Sequence, residues 1–381
     1  MSCSCWVNLR VTWKKGIMRT GLDRYRSDLP VAGEMVSLGE GDTPLLRLRS
    51  LAENIGIPDV FVKDESCNPT GSYKDRIAAV SLSLAREQGK SGWIATSSGN
   101  AGVAMAAYGA RVGLAGVLCL VSSAPAQKLL SLAPYRVDVL AVENIGNNST
   151  ARAIEGVVDV VLRSAKRHNL FLGITAHRFN QDGMRGVDTI SYELSEQAPE
   201  TTHVYVPVGG GGLLAGVARG LRSRNLPARV VACQPRGCAP VVRFLDGELA
   251  DPVLDRCESM VSALQIPSPP DGAMAAGAVR ASEGWGVTVS DEAIFQAQAL
   301  MASCEGIFVE PAAAVTVAAL IRDVERGVIS ERDTPTLILS GAGWKDLGRT
   351  AVPKGWPIQT SVDSLEEQVD RLAPLFRCSQ A

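Results

Sequence analysis

Four short stretches of this 381-residue chain carry residue types that could do chemistry together. The first is Asn68-Pro69-Thr70-Gly71-Ser72-Tyr73-Lys74-Asp75-Arg76. A short apolar run at 60–62 reads as a buried strand, Asn68, Pro69 and Gly71 break it, and Ser72 opens an amphipathic helix reaching to Gly89. Lys74 then lies in the first helical turn, at the positive end of the peptide dipoles, where a cation is disfavoured. A lysine whose charge is disfavoured gives up its neutral amine more readily, and that amine is the form that condenses with a carbonyl. Taken alone, the same spacing also describes a surface lysine at a helix start.

The second stretch is Ser97-Ser98-Gly99-Asn100, after a strand at 93–96 and before a helix of small residues through Ala110. A strand, a small polar turn and a helix N-terminus bring N–H groups and hydroxyls to one point, which suits an anion. An ordinary serine-capped turn has the same appearance. The third is Gly209-Gly210-Gly211-Gly212-Leu213, between a β-branched strand at 203–208 and a helix at 214–222. Glycines let the backbone wrap a phosphate, and the helix dipole adds to the attraction. No Lys-Ser/Thr pair follows, and Leu214 fills the last glycine position of a dinucleotide fingerprint, so neither of those loops is present. The fourth, Ser340-Gly341-Ala342-Gly343-Trp344-Lys345-Asp346, ends a buried strand at 336–339.

The elements that must position these stretches alternate. Further strands are expected at 116–121, 137–142 and 229–234, with a helix over about 149–168 between two of the units. That rhythm predicts an α/β fold of parallel sheets with right-handed crossovers. Ser290 is placed to cap a helix over 291–304, and Pro311 to open another. Residues 246–271, with Pro267, Pro269 and Pro270, read as a long surface connection.

Composition narrows the partners. With 46% hydrophobic and 20% charged residues and a net charge of −2, no basic field invites nucleic acid or an anionic membrane. No run approaches the ~20 apolar residues of a membrane helix. Nine cysteines without a CxxC pair suggest reduced thiols and a cytoplasmic location rather than a disulfide framework. Cys3 and Cys5 lack a matching pair, and His168, His177 and His203 lack metal-ligand spacing, so no metal is expected. Residues 1–36 form an atypical extension without the pattern of a secretory signal.

The Lys74 stretch resembles the lysine motif of the threonine synthases and threonine dehydratases, pyridoxal-phosphate enzymes with the tryptophan-synthase-β fold (fold type II). The other three stretches follow in that group's order over about residues 37–346, and Gly186-x-x-Thr189-x-x-x-Glu193 is similar to one of its helices. The resemblance implies two open twisted parallel-sheet domains with helices on both faces and the active site between them. Residues 37–90 and 176–350 would form the large cofactor domain, 91–175 a small mobile domain, and 351–381 a tail.

The implied cofactor is pyridoxal 5'-phosphate. Lys74 would hold it as a Schiff base and later serve as base for the substrate α-proton. Gly209, Gly210, Gly211, Gly212 and Leu213 would cup the phosphate, Asn100 would reach the phenolic oxygen, and Ser340 would bond the pyridine nitrogen. Ser97, Ser98, Gly99 and Asn100 would grip the substrate carboxylate. Glu310 falls in a segment similar to one near the pyridine ring, although a helix cap explains it nearly as well.

One departure concerns the substrate. Threonine synthases carry an N-S-x-N-P-x-R-x-x-G-Q-K-T segment, and this chain has His177-Arg178-Phe179-Asn180 in its place, with Gly183 for the arginine and Asp188 for the lysine. Asn180 and Arg178 remain candidates for substrate contact; His177, Arg178 and Arg185 could form a cationic pocket or be surface charges. The implied activity is a carbon–oxygen lyase of amino-acid biosynthesis, working by γ-elimination and replacement on O-phosphohomoserine or a related O-activated amino acid. A threonine/serine dehydratase, a β-replacement synthase of specialised metabolism and an inactive regulatory homologue are the alternatives. A homodimer is implied by the resemblance alone.

Overall fold

A computed structural model describes residues 20–97, 99–120, 129–135, 137–143, 151–349 and 355–372. Its ten strands are β1 (Leu45–Arg47), β2 (Phe61–Asp64), β3 (Gly92–Ala95), β4 (Gly116–Leu120), β5 (Val137–Ala141), β6 (Leu170–Leu172), β7 (His203–Pro207), β8 (Arg229–Pro235), β9 (Gly286–Val289) and β10 (Pro335–Leu339). They form a six-stranded sheet in the order β1-β2-β10-β7-β8-β9 and a four-stranded sheet in the order β5-β4-β3-β6. Every neighbouring pair is parallel except β1 with β2. The α/β class and the parallel sheets expected from the alternation are therefore present. Buried parallel strands read as apolar runs, and residues 204–207 of β7, 230–233 of β8 and 337–339 of β10 do so.

The helix Lys74–Glu87 is shared by two cores. Ile77 packs with Val204, Val206, Leu214 and Ile338 of the larger sheet. Ala78, Ala79, Val80 and Leu82 pack with Trp93, Ala95, Met105 and Leu118 around the smaller sheet. The helix begins at Lys74, two residues later than Ser72, because the backbone of Ser72 and Tyr73 is pinned to the end of β10 instead. Ser290 caps its helix as expected, its Oγ accepting the Ala293 N–H at 3.2 Å, and Pro311 opens the helix Pro311–Glu325.

Three features depart from the sequence reading. Within the N-terminal extension, Leu22, Leu29, Val31, Met35 and Val36 are buried against the Lys74 and Asn100 helices, so from Gly21 the chain is part of a core. The connection 246–271 is not confined to the surface: Val261 and Leu264 are buried in the larger sheet's core and Asp271 is 3% exposed. Cys238 and Cys257 form a disulfide, with Cα atoms 4.8 Å apart, which corrects the expectation of reduced thiols at that pair. No spacing motif marks the pair, because only the fold brings the end of β8 beside this connection. Cys67, Cys119, Cys233 and Cys304 are free thiols.

Residues up to Lys345 and those from Asp346 onward form two separate compact units. In the second, Ser361 accepts the Ser364 N–H ahead of the helix Leu365–Leu372. Among the described residues no helix is long and apolar enough to cross a membrane.

Candidate active site

The lysine turn is stitched to the end of β10. Tyr73 N–H donates to the Ser340 carbonyl at 3.1 Å, Ala342 N–H donates to the Gly71 carbonyl at 2.9 Å, and Ser72 pairs with Gly341 in an isolated antiparallel bridge. Lys74 and Ser340 thus share one rigid junction. The Lys74 amine donates to Thr175 Oγ1 at 2.8 Å and lies 4.7 Å from the centre of the Tyr73 ring.

Asn100, the first residue of the helix Asn100–Val112, enters from the smaller sheet. Its Nδ2 donates to both carboxylate oxygens of Glu310, at 3.0 and 3.1 Å, and Ser340 Oγ donates to the same carboxylate at 3.4 Å. Glu310 occupies the N-cap position of its helix, yet its side chain makes no capping bond. Its carboxylate therefore belongs to the cluster of Asn100 and Ser340. Ser97 Oγ accepts the Gly99 N–H at 3.3 Å and so shapes the turn ahead of Asn100; Ser98 lies outside the described residues.

The glycine turn leads into the helix Gly212–Ser223. Gly211 has φ +91°, a left-handed conformation that costs glycine nothing, and a β-carbon there would lie 2.6 Å from the Asp271 carbonyl oxygen. Among the described residues the N–H groups of Gly209, Gly210, Gly211 and Gly212 donate to no acceptor, and the first turn of any helix leaves such donors free. Free N–H groups at a helix N-terminus make a ready receptor for a phosphate. Leu213, 5% exposed, anchors the turn in the larger sheet's core. The residues present therefore fit a phosphorylated carbonyl cofactor: an amine to condense with it, a polar pair for its ring, and an anion cup.

Asp271 joins the cup to the lysine side. Its N–H donates to the Gly210 carbonyl at 2.9 Å, and its carboxylate accepts the N–H groups of His177 at 2.7 Å and Arg178 at 3.0 Å. His177 and Arg178 follow Thr175 after one residue, Ala176. The Arg178 side chain is exposed, with its guanidinium 5.4 Å from the centre of the Phe179 ring. Asn180 is buried; its Nδ2 donates to Ser81 Oγ at 2.9 Å and its Oδ1 accepts the Gly183 N–H at 3.1 Å. Arg185 is engaged by Asp188 at 2.8 Å, and Arg219 pairs with the same carboxylate at 2.5 Å. Arg185 is thus tied to Asp188, which it shares with Arg219, so among the described residues it is the candidate for a cationic pocket that is already held in an ion pair.

Sequence reasoning did not select Thr175 or Asp271, and it named Glu310 only beside the rival reading of a helix cap. The only signal for Glu310 was its Glu-Pro-Ala segment; Thr175 and Asp271 carry none, since each acts on residues far away in the chain. Among the described residues no group of three His, Cys, Asp or Glu side chains is placed to hold a metal ion.

The model of the pyridoxal-phosphate dependent enzyme family matches residues 36–341, and the chain belongs to that family. It is an enzyme of elimination and replacement chemistry with the type II fold, and its cofactor is pyridoxal 5'-phosphate. The threonine synthase of Methanocaldococcus jannaschii is 32% identical over 357 residues, covering 90% of this chain and 85% of that protein. That of Methanosarcina acetivorans is 33% identical over 336 residues, covering 85% and 80%. Among solved structures, a processed threonine deaminase from Solanum lycopersicum matches with a TM-score of 0.68 at 21% identity, over 94% of this chain and 91% of that one. A maize serine racemase matches with a TM-score of 0.67 at 23% identity, over 88% and 93%. At those identities the structures speak for the fold alone.

Proposed function

We propose that the protein is a threonine-synthase-like lyase that eliminates and replaces the activated oxygen substituent of a small amino acid. The observation that carries this reading is the junction at which Lys74, Ser340, Glu310 and Asn100 meet, joined through Thr175 and Asp271 to a glycine turn with free N–H groups. Pyridoxal phosphate, when bound, supplies an electron sink for the carbanion formed at the substrate α-carbon. Lys74 would hold the cofactor, and its Nζ would take and return the α-proton. Gly209, Gly210, Gly211, Gly212 and Leu213 hold the phosphate; Asn100 and Ser340 orient the ring; Ser97, Ser98 and Gly99 hold the substrate carboxylate. A hydroxyl such as that of Ser340 does not force the ring nitrogen to remain protonated, which favours elimination over transamination.

O-phosphohomoserine leads the substrates on the strength of the relatives named above. A second reading, a dehydratase or β-replacement synthase, is favoured by one specific observation. Where the threonine synthase segment has arginine and lysine, this chain has Gly183, packed against Ser81 and Asn180, and Asp188, paired with Arg185 and Arg219. His177 and Arg178, and less directly Asn180, are then the residues left to meet a distal anion. We also assign 91–175 to a small mobile domain, 37–90 with 176–350 to the cofactor domain, and a cytoplasmic homodimer to the whole, on the family resemblance.

The test is to mix the protein with O-phospho-L-homoserine and follow phosphate release and amino-acid product together, with Lys74→Ala as control. Phosphate with threonine, both lost in Lys74→Ala, is the expected result. No release, from protein whose visible band still responds to threonine or serine, would overturn the threonine synthase assignment in favour of the second reading.

A further inference from the structure

Thr175 stands outside every motif read from the sequence, and it holds the one hydrogen bond made by the Lys74 amine among the described residues. A lysine amine sits on a flexible four-carbon stem with three rotatable donors, so its direction is set by whatever it bonds to. The Thr175 hydroxyl suits both protonation states. It accepts from an ammonium, and it can turn to donate its own proton into the lone pair of the neutral amine.

The threonine is itself held from both sides. Gly173 N–H donates to the Ile94 carbonyl at 2.8 Å, tying the residues after β6 to β3. Ile174 and Ala176, on either side of Thr175, are buried. Beyond them the Asp271 carboxylate takes the N–H groups of His177 and Arg178. The backbone that carries the hydroxyl is thus fixed on both sides, and the amine on its long stem is the more movable partner.

We infer that Thr175 is a positioning residue for Lys74: its hydroxyl aims the amine at the carbonyl it must join and steadies it when it is free. The inference rests on the reading of Lys74 as the cofactor lysine. It assigns to this chain a dependence of the lysine on a residue 101 positions away.

The experiment strips the cofactor from wild-type protein, Thr175→Val, Thr175→Ala and Thr175→Ser, then mixes each with pyridoxal phosphate at a series of pH values. The rate at which the visible band appears is recorded, and borohydride reduction with peptide mapping locates the attachment. Both hydroxyl-free variants are expected to load about tenfold more slowly or worse, the scale of one hydrogen bond to a charged group, with a shifted pH midpoint. Thr175→Ser is expected to stay within about twofold of wild type, since it keeps the hydroxyl. Folded valine and alanine variants that load with the wild-type rate and pH midpoint would overturn the inference while leaving Lys74 in place. Wild-type protein that takes no colour, or is fixed at another lysine, would instead sink the reading of Lys74, and this inference with it.

Discussion

Glu310 sits where a helix begins and caps nothing, because its carboxylate is claimed by Asn100 from 210 residues away. A buried carboxylate with two side-chain donors aimed at it is an ordered, polarised group rather than a spare one. Truncation leaves Asn100 and Ser340 without their common acceptor. Glu310→Ala is therefore expected to weaken cofactor binding about tenfold, measured by titrating the visible band, while Glu310→Gln, which keeps one acceptor oxygen, should lose less. Equal affinity in wild type and Glu310→Ala would show that Asn100 needs no such partner. The residues legible in the sequence, Lys74, Asn100, the four glycines and Ser340, each lie at a strand end or helix start, where local composition announces a turn. Glu310 was half legible, since its segment pointed to the ring and to a helix cap alike; Thr175 and Asp271 act across chain separations that no window of sequence spans.

The Lys74 helix is held in place by a buried ionic cluster. The Arg76 side chain is fully buried; its Nε meets Glu65 at 2.7 Å and its Nη1 meets Glu193 at 2.6 Å and Thr189 Oγ1 at 2.9 Å. Lys63 adds a further contact to Glu193 at 2.7 Å, and Thr43 Oγ1 donates to Glu65 at 2.7 Å. These contacts give the Gly186-x-x-Thr189-x-x-x-Glu193 pattern a physical purpose. Thr189 and Glu193 receive the guanidinium, and Gly186 is bare because a β-carbon there would collide with the Arg76 carbonyl. Removing one partner from such a cluster strands the others in a dry interior. Arg76→Ala is expected to lose about 3–5 kcal/mol in urea unfolding. Arg76→Lys should recover only part of it, for an ammonium cannot span two carboxylates as a planar fork does. A loss under ~1 kcal/mol for Arg76→Ala would mean that the cluster contributes little beyond the packing around it.

For the molecule as a whole, two buried acids tilt stability with pH in opposite directions. Burial lifts Glu193, but Arg76 and Lys63 outweigh it and hold the group at about 2, so its contribution is intact above pH ~4.5 and fades as pH falls toward 2. Burial also lifts Asp75, and here it prevails over the hydrogen bonds from Thr70, leaving the group at about 7. The folded form then holds a proton that the unfolded chain has released, so the stability due to Asp75 declines as pH rises from about 4 to 7. Asp75→Asn should flatten that part of the curve by up to about 4 kcal/mol between pH 4 and 8, read from unfolding midpoints across the range. Identical slopes in the two proteins would place the Asp75 proton elsewhere.

At this scale the α/β class and parallel sheets were readable from alternating strands and helices. The buried N-terminal residues, the inward course of 246–271 and the Cys238–Cys257 pair were not, since each depends on elements that become neighbours only after the sheets form.

Three consecutive side chains at the start of one helix, Lys74, Asp75 and Arg76, point along directions about 100° apart. One reaches Thr175, the next Thr70, and the third the ionic cluster. The stretch works as a key cut for three tumblers at once. Individual residues in it can be exchanged at a graded cost, but a deletion or insertion ahead of Lys74 would turn all three away from their partners together. Among descendants of this chain, length between Gly71 and Arg76 should be guarded more strictly than composition.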